Sequence, residues 1–408
     1  MRIDNEGFLH LTYCTNIHPG DGWEAVHANL RRFAPALKRR LAPADSFGLG
    51  LRLSARETGE LLKDGRLEEF RSFLDAEGLY VALLNGFPYG SFHATVVKAN
   101  VFAPDWRDDA RVRYTLDLVE VLRKLLPVGL DGGISTSPLS YKPWVNAGNA
   151  RDWETIIFNL ARIAEALVRI RRDEGRFIHL DIEPEPDGLI ENTDEVVEFF
   201  ERRLLPAGGP LLANALGIGV DQARRSLLDH IQICFDCCHF AVEYEDPAAA
   251  LRRLAGTGIR VGRIQLSSAL RVALPEDPAR RAEIAGRLRR FAESTYLHQV
   301  IERRGDGLHR FPDLGNALSE PPAPAATEWR IHFHVPLFTG EYEEFGSTQD
   351  YVRTVLAAAL GTRSTRHLEI ETYTWDVLPA ELKVELAESI GREYQWVLAE
   401  IDAAAAGS

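Results

Sequence analysis

Asp236 and His239 stand three residues apart in the stretch His230–Asp246, His-Ile-Gln-Ile-Cys-Phe-Asp-Cys-Cys-His-Phe-Ala-Val-Glu-Tyr-Glu-Asp. Ile231, Ile233 and Phe235 alternate with Gln232, Cys234 and Asp236, so an extended chain carries Asp236 to a strand end on its polar face. His239 follows just past that end. A carboxylate and an imidazole that converge at a strand terminus can hold a divalent metal or pass a proton. Taken alone, the same pair also fits a strand-capping Asp and a His bonded to a backbone carbonyl.

Four other strands end in the same way. In Phe177–Glu183, Ile178, Leu180 and Ile182 oppose His179, Asp181 and Glu183. In Arg260–Leu266, Ile264 and Leu266 oppose Arg263 and Gln265. Ile331, Phe333 and Val335 oppose Arg330, His332 and His334, and Leu368 and Ile370 oppose His367, Glu369 and Glu371. Apolar faces turned to outer helices leave the polar faces pointing inward, with Glu183, Asp236, Gln265, His334 and Glu371 as the last inward residues. Carboxylates crowded into one place repel each other unless a cation neutralises them or one keeps a proton. The oxygen-rich set with its imidazole suits one divalent ion, Mn²⁺, Mg²⁺ or Co²⁺ before Zn²⁺. The alternative is the solvent face of an antiparallel sheet. His332 and His367, earlier in their strands, also fit core histidines, and Glu369 fits a pair with an arginine such as Arg52.

The elements that must position these residues alternate along the chain. Strand-like runs at Leu9–Cys14, Phe47–Leu53, Leu79–Leu84, Gly132–Thr136, Phe177–Glu183, Ile231–Asp236, Arg260–Leu266, Arg330–Val335 and His367–Glu371 are separated by helical patterns such as Trp23–Leu41 and Trp153–Arg172. Asn192 and Asp246-Pro247 read as helix starts. No hairpin signature stands out. Repeated strand–helix units imply a parallel sheet covered by helices, and eight or more favour closure into a barrel. The expectation is a single (β/α)₈ TIM barrel over residues 1–408 with one extra strand, either Leu9–Cys14 or Arg330–Val335. Residues 270–328, with a helix at Ala279–Ser294 and a Pro-rich stretch from Glu320, form a long insertion and candidate lid. The last helix, Ala380–Ile401, is expected to fray over 402–408. In a barrel of this kind the chemistry sits at the C-terminal ends of the strands.

The chain has 408 residues, 45% hydrophobic and 26% charged, with a formal charge of −13. That field repels phosphate backbones and argues against nucleic acid as partner. No run is long enough to span a bilayer, the first residues lack a signal core, and a cytoplasmic location is expected. Cys14, Cys234, Cys237 and Cys238 read as reduced apolar fillers. Cys234-x-x-Cys237 is placed along a strand end and not at a helix start, which argues against a redox dithiol.

Glu183-Pro-Glu-Pro, Asp236-x-x-His239, a polar residue ending the next strand and a terminal Glu371 together resemble the xylose-isomerase-like TIM barrels. That resemblance implies a divalent metal on Glu183, Asp236 and Glu371, with Gln265 where the family usually has His and with His334 able to compensate. It also implies that Glu183 and Glu371 flank the substrate as acid and base. Over most of its length the chain resembles the EboE-type "metabolite traffic" proteins of bacterial ebo gene clusters. Asn85-Gly-Phe-Pro-Tyr-Gly, Ile264-Gln-Leu-Ser-Ser-Ala-Leu, Tyr296-Leu-His-Gln-Val, His332-Phe-His-Val-Pro and His367-Leu-Glu-Ile-Glu-Thr-Tyr-Thr-Trp carry that likeness.

The expected function is a metal-dependent isomerase or epimerase of a sugar, sugar phosphate or cyclitol in a secondary-metabolite pathway, working through an enediolate. Other proteins of that pathway are expected partners. His239, Arg263, His93, Lys142 and His18 are candidates for substrate binding, with Arg271 beside them. A non-catalytic carrier that keeps the pocket is the alternative, favoured by Gln265. A metal-dependent phosphodiesterase fits the net charge poorly. A lysine-dependent aldolase lacks a lysine in the strand cores.

Overall fold

Short runs of apolar residues, closed by Asn, Pro or an acidic residue, become strands buried on both faces, as a helix-covered parallel sheet requires. The computed structural model describes residues 1–3, 8–93, 96–146, 148–320, 322–380 and 383–406. In chain order its first strands are β1 (His10–Tyr13), β2 (Phe47–Arg52), β3 (Leu79–Asn85), β4 (Gly132–Thr136), β5 (Ile178–Ile182), β6 (Ile231–Asp236) and β7 (Val261–Leu266). Six more follow: β8 (Ser268–Ala273), β9 (Val300–Arg304), β10 (Gly307–Phe311), β11 (Ala326–Val335), β12 (Glu341–Tyr342) and β13 (Phe345–Ser347). The last is β14 (His367–Ile370).

Eight strands form one parallel sheet in the order β1-β14-β7-β6-β5-β4-β3-β2. A parallel bridge between Cys14 and Gly50 joins its two edges, so the sheet nearly closes into a barrel. The helices that cover it start where the sequence supplies caps. Ser54 and Glu57 make a reciprocal capping box on Ala55–Leu61, Asn149 caps Ala150–Glu174, and Asn192 caps Thr193–Phe199. Asp246 caps Pro247–Gly256 with proline in its first turn.

The barrel interior carries a layer of charge. Arg263 is fully buried, with Nε 3.1 Å from Asp181 Oδ2 and Nη1 3.1 Å from Glu369 Oε2. Two glycines make room for it: a Cβ on Gly50 would lie 1.6 Å from Glu369 Oε1, and one on Gly262 would lie 2.0 Å from Asp181 Oδ1. Glu369 therefore pairs with Arg263, whereas Arg52 pairs with Glu57.

The strand outside the barrel is β11. It belongs to a six-stranded antiparallel sheet, β10-β9-β11-β8-β13-β12, with its own apolar core built around Leu288, Phe291, Trp329, Ile331 and Phe333. The insertion thus begins at Ser268, two residues after the end of β7, and runs to Ser347, wider than the expected 270–328. Its helix is Pro278–Leu288, shorter than Ala279–Ser294 suggested. β9 and β10 form a hairpin around Gly305-Asp306, with Gly305 at φ 57°. Gly-Asp between two strands is a hairpin signal that the sequence does carry. The C-terminal helix continues through Ala406, so 402–406 are helical and not frayed; Pro321, Gly407 and Ser408 lie outside the described residues.

Candidate active site at the barrel mouth

Chain direction puts the C-terminal ends of the strands at one mouth, and the polar residues there come from separate strands. Glu183 follows β5 and Asp236 ends β6, while Glu371 follows β14; all three are buried. One carboxylate oxygen from each lies within 4.8 Å of the others, and Asp236, His239 and His334 form an overlapping group of the same kind.

Their hydrogen bonds are one-sided. Asp236 Oδ1 accepts from Ser267 Oγ at 2.7 Å and from the His239 backbone N–H at 3.1 Å, the bond that caps the short helix Cys237–Val242. Glu371 Oε1 accepts from Asn16 Nδ2 at 2.8 Å and Asn85 Nδ2 at 3.2 Å. Among the described residues, Glu183 Oε2, Asp236 Oδ2 and His334 Nε2 have no hydrogen-bond partner although they are buried. Orphaned buried lone pairs on two carboxylates and an imidazole, aimed into one cluster, suit a divalent cation.

Electrostatics agree. Burial pushes Glu183 well above the usual carboxylate range, and the Asp236 and Glu185 charges push it further. Glu371 is raised in the same way by burial, then by Glu183 and Asp236. Burial also opposes ionisation of Asp236, but His239, His334, a proton shared with Glu371 and the Ser267 bond together hold it low. Without a cation the cluster therefore keeps protons that an ion would displace.

Three imidazoles border the carboxylates, each donating from Nδ1 to a fixed oxygen: His239 to Pro184 O at 2.8 Å, His332 to Gln299 Oε1 at 2.7 Å, and His334 to Glu371 O at 3.0 Å. The Glu183-Pro-Glu-Pro turn holds them, because Pro184 O takes His239 and Pro186 O takes Gln299 Nε2. His332 and His334 come from the inserted sheet. The β11–β8 register shifts between Ile331 and His334, a bulge of the kind that re-aims side chains beside active sites. Burial lowers the His239 and His332 values, and His334 is lowered to about 4.

A small cavity of about 50 Å³ opens onto this cluster, lined by Glu183, Glu185, His239, His332, Glu371 and Tyr373 together with Asn16, Asn85 and Phe92. Sequence reasoning missed several of these. Asn85 ends β3, where the strand-end rule would have found it, and Asn16 lies in the 3₁₀ turn Thr15–Ile17, where no periodicity points to it; Tyr373, two residues past Glu371, continues the inward alternation of that strand. His332, read as a possible core residue, faces His239 at the mouth. His367 sits at the opposite barrel end, where β14 begins.

The expected ligand Gln265 does not line the cavity; its Oε1 accepts from Cys234 Sγ at 2.9 Å inside the barrel. Arg263 is corrected from substrate binding to the buried layer below the mouth, where Asp181 and Glu369 hold it. Lys142 is likewise committed to Glu191 and Glu195, away from the carboxylates. His18 stacks on Phe33 and bonds Tyr13 at 3.0 Å, and Arg271 pairs with Asp350. His93 stays near the mouth, 2.6 Å from Asn16 O and 3.2 Å from the Tyr296 hydroxyl. The four cysteines are free and buried, as fillers; contrary to the sequence reading, Cys237 does start a helix.

No helix among the described residues is long and apolar enough to cross a membrane. Neither a protein-family model nor a curated protein matches the sequence. Solved structures do match. A xylose isomerase domain protein from Planctomyces limnophilus is 12% identical, with 97% of this chain and 97% of that one covered, at a TM-score of 0.50. The probable 3-DHS dehydratase AsbF of petrobactin synthesis from Bacillus anthracis is 10% identical over 95% and 98%, at 0.46. An IOLI protein with a bound zinc atom is 11% identical over 97% and 99%, at 0.45. At 12% identity the first of these likenesses speaks to architecture: with its eight-stranded parallel sheet, the chain folds as a xylose-isomerase-like TIM barrel.

Proposed function

We propose that the protein is a metal-dependent isomerase or epimerase of a sugar, sugar phosphate or cyclitol. The observation that carries this reading is the buried convergence of Glu183, Asp236 and Glu371 with unpartnered Glu183 Oε2, Asp236 Oδ2 and His334 Nε2. Those four residues would hold one divalent ion. When bound, the ion supplies positive charge to substrate oxygens at the mouth. With an ion bound and a proton displaced, one of Glu183 and Glu371 would stand as the carboxylate that removes a proton beside a carbonyl, while the other, kept protonated by burial, would act as the acid. Asn16 and Asn85 orient Glu371, and Ser267 orients Asp236. The sequence blocks that resemble the EboE-type proteins support a role in a secondary-metabolite pathway, with other proteins of that pathway as partners, and a cytoplasmic location is part of this reading.

Ligand pockets usually measure about 300–1,000 Å³, so a cavity of about 50 Å³ must widen before a polyol enters. A carrier that keeps the pocket without chemistry is the second reading, supported by Gln265 lying below the mouth. Two measurements separate these readings. Protein purified without chelator is titrated with Mn²⁺ and screened by thermal shift against sugar phosphates and cyclitols. Responding ligands are then incubated in deuterated water. Saturable Mn²⁺ binding that Asp236→Ala removes, with deuterium entering a carbon-bound position, is expected. Ligand binding without exchange favours the carrier, and no affinity for Mn²⁺, Co²⁺, Mg²⁺ or Zn²⁺ at millimolar levels ends the isomerase reading.

A further inference from the structure

A second cluster of metal-ligating side chains occupies the opposite end of the barrel. Asp131 precedes β4, His179 is the second residue of β5, and His367 begins β14, so all three stand at N-terminal strand ends. One ligand atom from each lies within 4.8 Å of the others. Both imidazoles are buried, and Asp131 is half-buried.

Ordinary core histidines have their nitrogens satisfied; His367 does not. It is 0% exposed, yet neither Nδ1 nor Nε2 has a hydrogen-bond partner among the described residues. Its Nε2 lies 3.3 Å from Asp131 Oδ1 without hydrogen-bond geometry. Two ligands of one ion, each bonded at about 2.0–2.2 Å and near tetrahedral or right angles, stand roughly that far apart. His179 is already oriented for the task. Its Nδ1 is 2.5 Å from Asp181 Oδ1, and Asp181 is itself fixed by Arg263. A carboxylate that holds one ring nitrogen selects the tautomer with its lone pair on the other, the arrangement found behind most metal-bound histidines.

The carboxylate side of the site borders solvent, with the two imidazoles buried behind it. A basin of about 500 Å³ opens at this end, lined by Asp131, Phe177, Gln232, Gly262, Thr365 and Arg366. Arg366 Nη1 is 3.0 Å from Asp131 Oδ1 and competes for it; that side chain, 30% exposed, also donates from Nε to Phe8 O at 3.4 Å and lies over the Phe8 ring, so an ion must displace it. Two imidazoles and one carboxylate form a borderline nitrogen–oxygen set, suited to Zn²⁺ or Co²⁺ and poor for Mg²⁺ or Ca²⁺.

We propose that Asp131, His179 and His367 bind a second divalent transition-metal ion, independent of the mouth. It would act as a clasp across the barrel, since β5 and β14 are separated by β6 and β7 in the sheet. The test uses Asp236→Ala to remove the mouth site, then titrates Co²⁺ by its d–d absorption and compares melting with and without Zn²⁺. One equivalent of Co²⁺ and a Zn²⁺-dependent rise in Tm are expected in Asp236→Ala, against two equivalents in the unaltered protein. Adding His367→Phe should abolish both signals, with affinity falling at least 100-fold. Asp131→Asn, on the basin wall, should weaken binding at least 10-fold, and it decides the matter if the His367 variant does not fold. Absence of Co²⁺ binding in Asp236→Ala, or binding that survives Asp131→Asn and His367→Phe, overturns the proposal. Because the deciding arms all carry Asp236→Ala, failure here leaves the isomerase reading untouched.

Discussion

His239 and His332 face each other through their Nε2 atoms at 3.1 Å, although each ring already donates from Nδ1 to a fixed oxygen. Two neutral imidazoles of that tautomer turn lone pair toward lone pair, which is unfavourable until a cation, a proton or a donor hydroxyl comes between them. Burial and the neighbouring imidazoles hold His332 far below its ordinary value, so a proton is not retained there at neutral pH. The Tyr373 hydroxyl, 3.5 Å from His332 Nε2, is one donor that can relieve that opposition.

His332→Asn isolates that effect. The asparagine amide nitrogen can replace Nδ1 against Gln299 Oε1, and nothing replaces Nε2. In chelator the variant should melt no lower than the unaltered protein, because an opposed lone pair is gone. Mn²⁺ binding at the mouth should weaken about 10–100-fold, as for loss of an outer-shell partner. Lower melting with unchanged Mn²⁺ affinity would show that the two rings share a hydrogen bond instead.

Glu371→Gln tests the acid–base assignment. In the ion-free protein Glu371 is held protonated by burial, then by Glu183 and Asp236, so glutamine copies its charge and can still accept from Asn16 and Asn85. Urea unfolding in chelator should shift by less than about 1 kcal/mol, within the range of an isosteric change. Deuterium exchange into a responding substrate should fall at least a thousandfold. Exchange that persists places the base elsewhere, and an unfolded variant marks Glu371 as part of a structural network.

The contrast between these carboxylates and the inserted sheet shows what could be read from the chain alone. Glu183, Asp236 and Glu371 follow from period-2 alternation, because a buried parallel strand leaves its inward residues only one direction to point. Arg330–Val335 alternates equally well, yet it pairs antiparallel with β8 and β9, and alternation carries no information about partners. The inward face of Arg260–Leu266 was legible. That Arg263 would be consumed by Asp181 and Glu369 was not, since those contacts span 82 and 106 residues. Gly305-Asp306 was a local signal for the hairpin that redraws the insertion. The pairing of His332 with His239 depends on a bulge and a docked sheet, which no local pattern encodes.

Arg263 should be among the most costly residues to replace. Arg263→Met leaves Asp181 and Glu369 buried without their cation, and breaking a buried pair from one side typically costs about 3–5 kcal/mol. Glu369 is already pushed up by burial in spite of the Arg263 charge, so it would protonate first. Urea unfolding at neutral pH should show that loss, and the deficit should shrink at acidic pH as the carboxylates take up protons. A loss below about 1 kcal/mol at neutral pH, the range of an exposed pair, would mean that water or another cation reaches the layer.

Glu393 gives the pH prediction. It sits on the C-terminal helix, where Oε1 accepts from Leu337 N at 3.1 Å and Thr372 Oγ1 at 2.6 Å, while Oε2 has no partner among the described residues. Burial pushes it up to about 7 from 4.5, and those two bonds only partly oppose the rise. A carboxyl raised on folding means that the native state holds a proton which the unfolded chain has lost. Stability contributed by this group is therefore greatest below pH 4.5 and falls as pH rises to about 7, then levels off. At about 1.4 kcal/mol per pH unit the whole fall amounts to roughly 3 kcal/mol. Glu393→Gln cannot ionise and should lack this part of the slope. The measurement is unfolding free energy between pH 4.5 and 8 for both proteins, read as their difference. The variant should gain on the unaltered protein steadily up to about pH 7 and hold a constant advantage beyond it. A difference that does not change with pH would mean that Glu393 is ionised throughout, with solvent reaching Oε2.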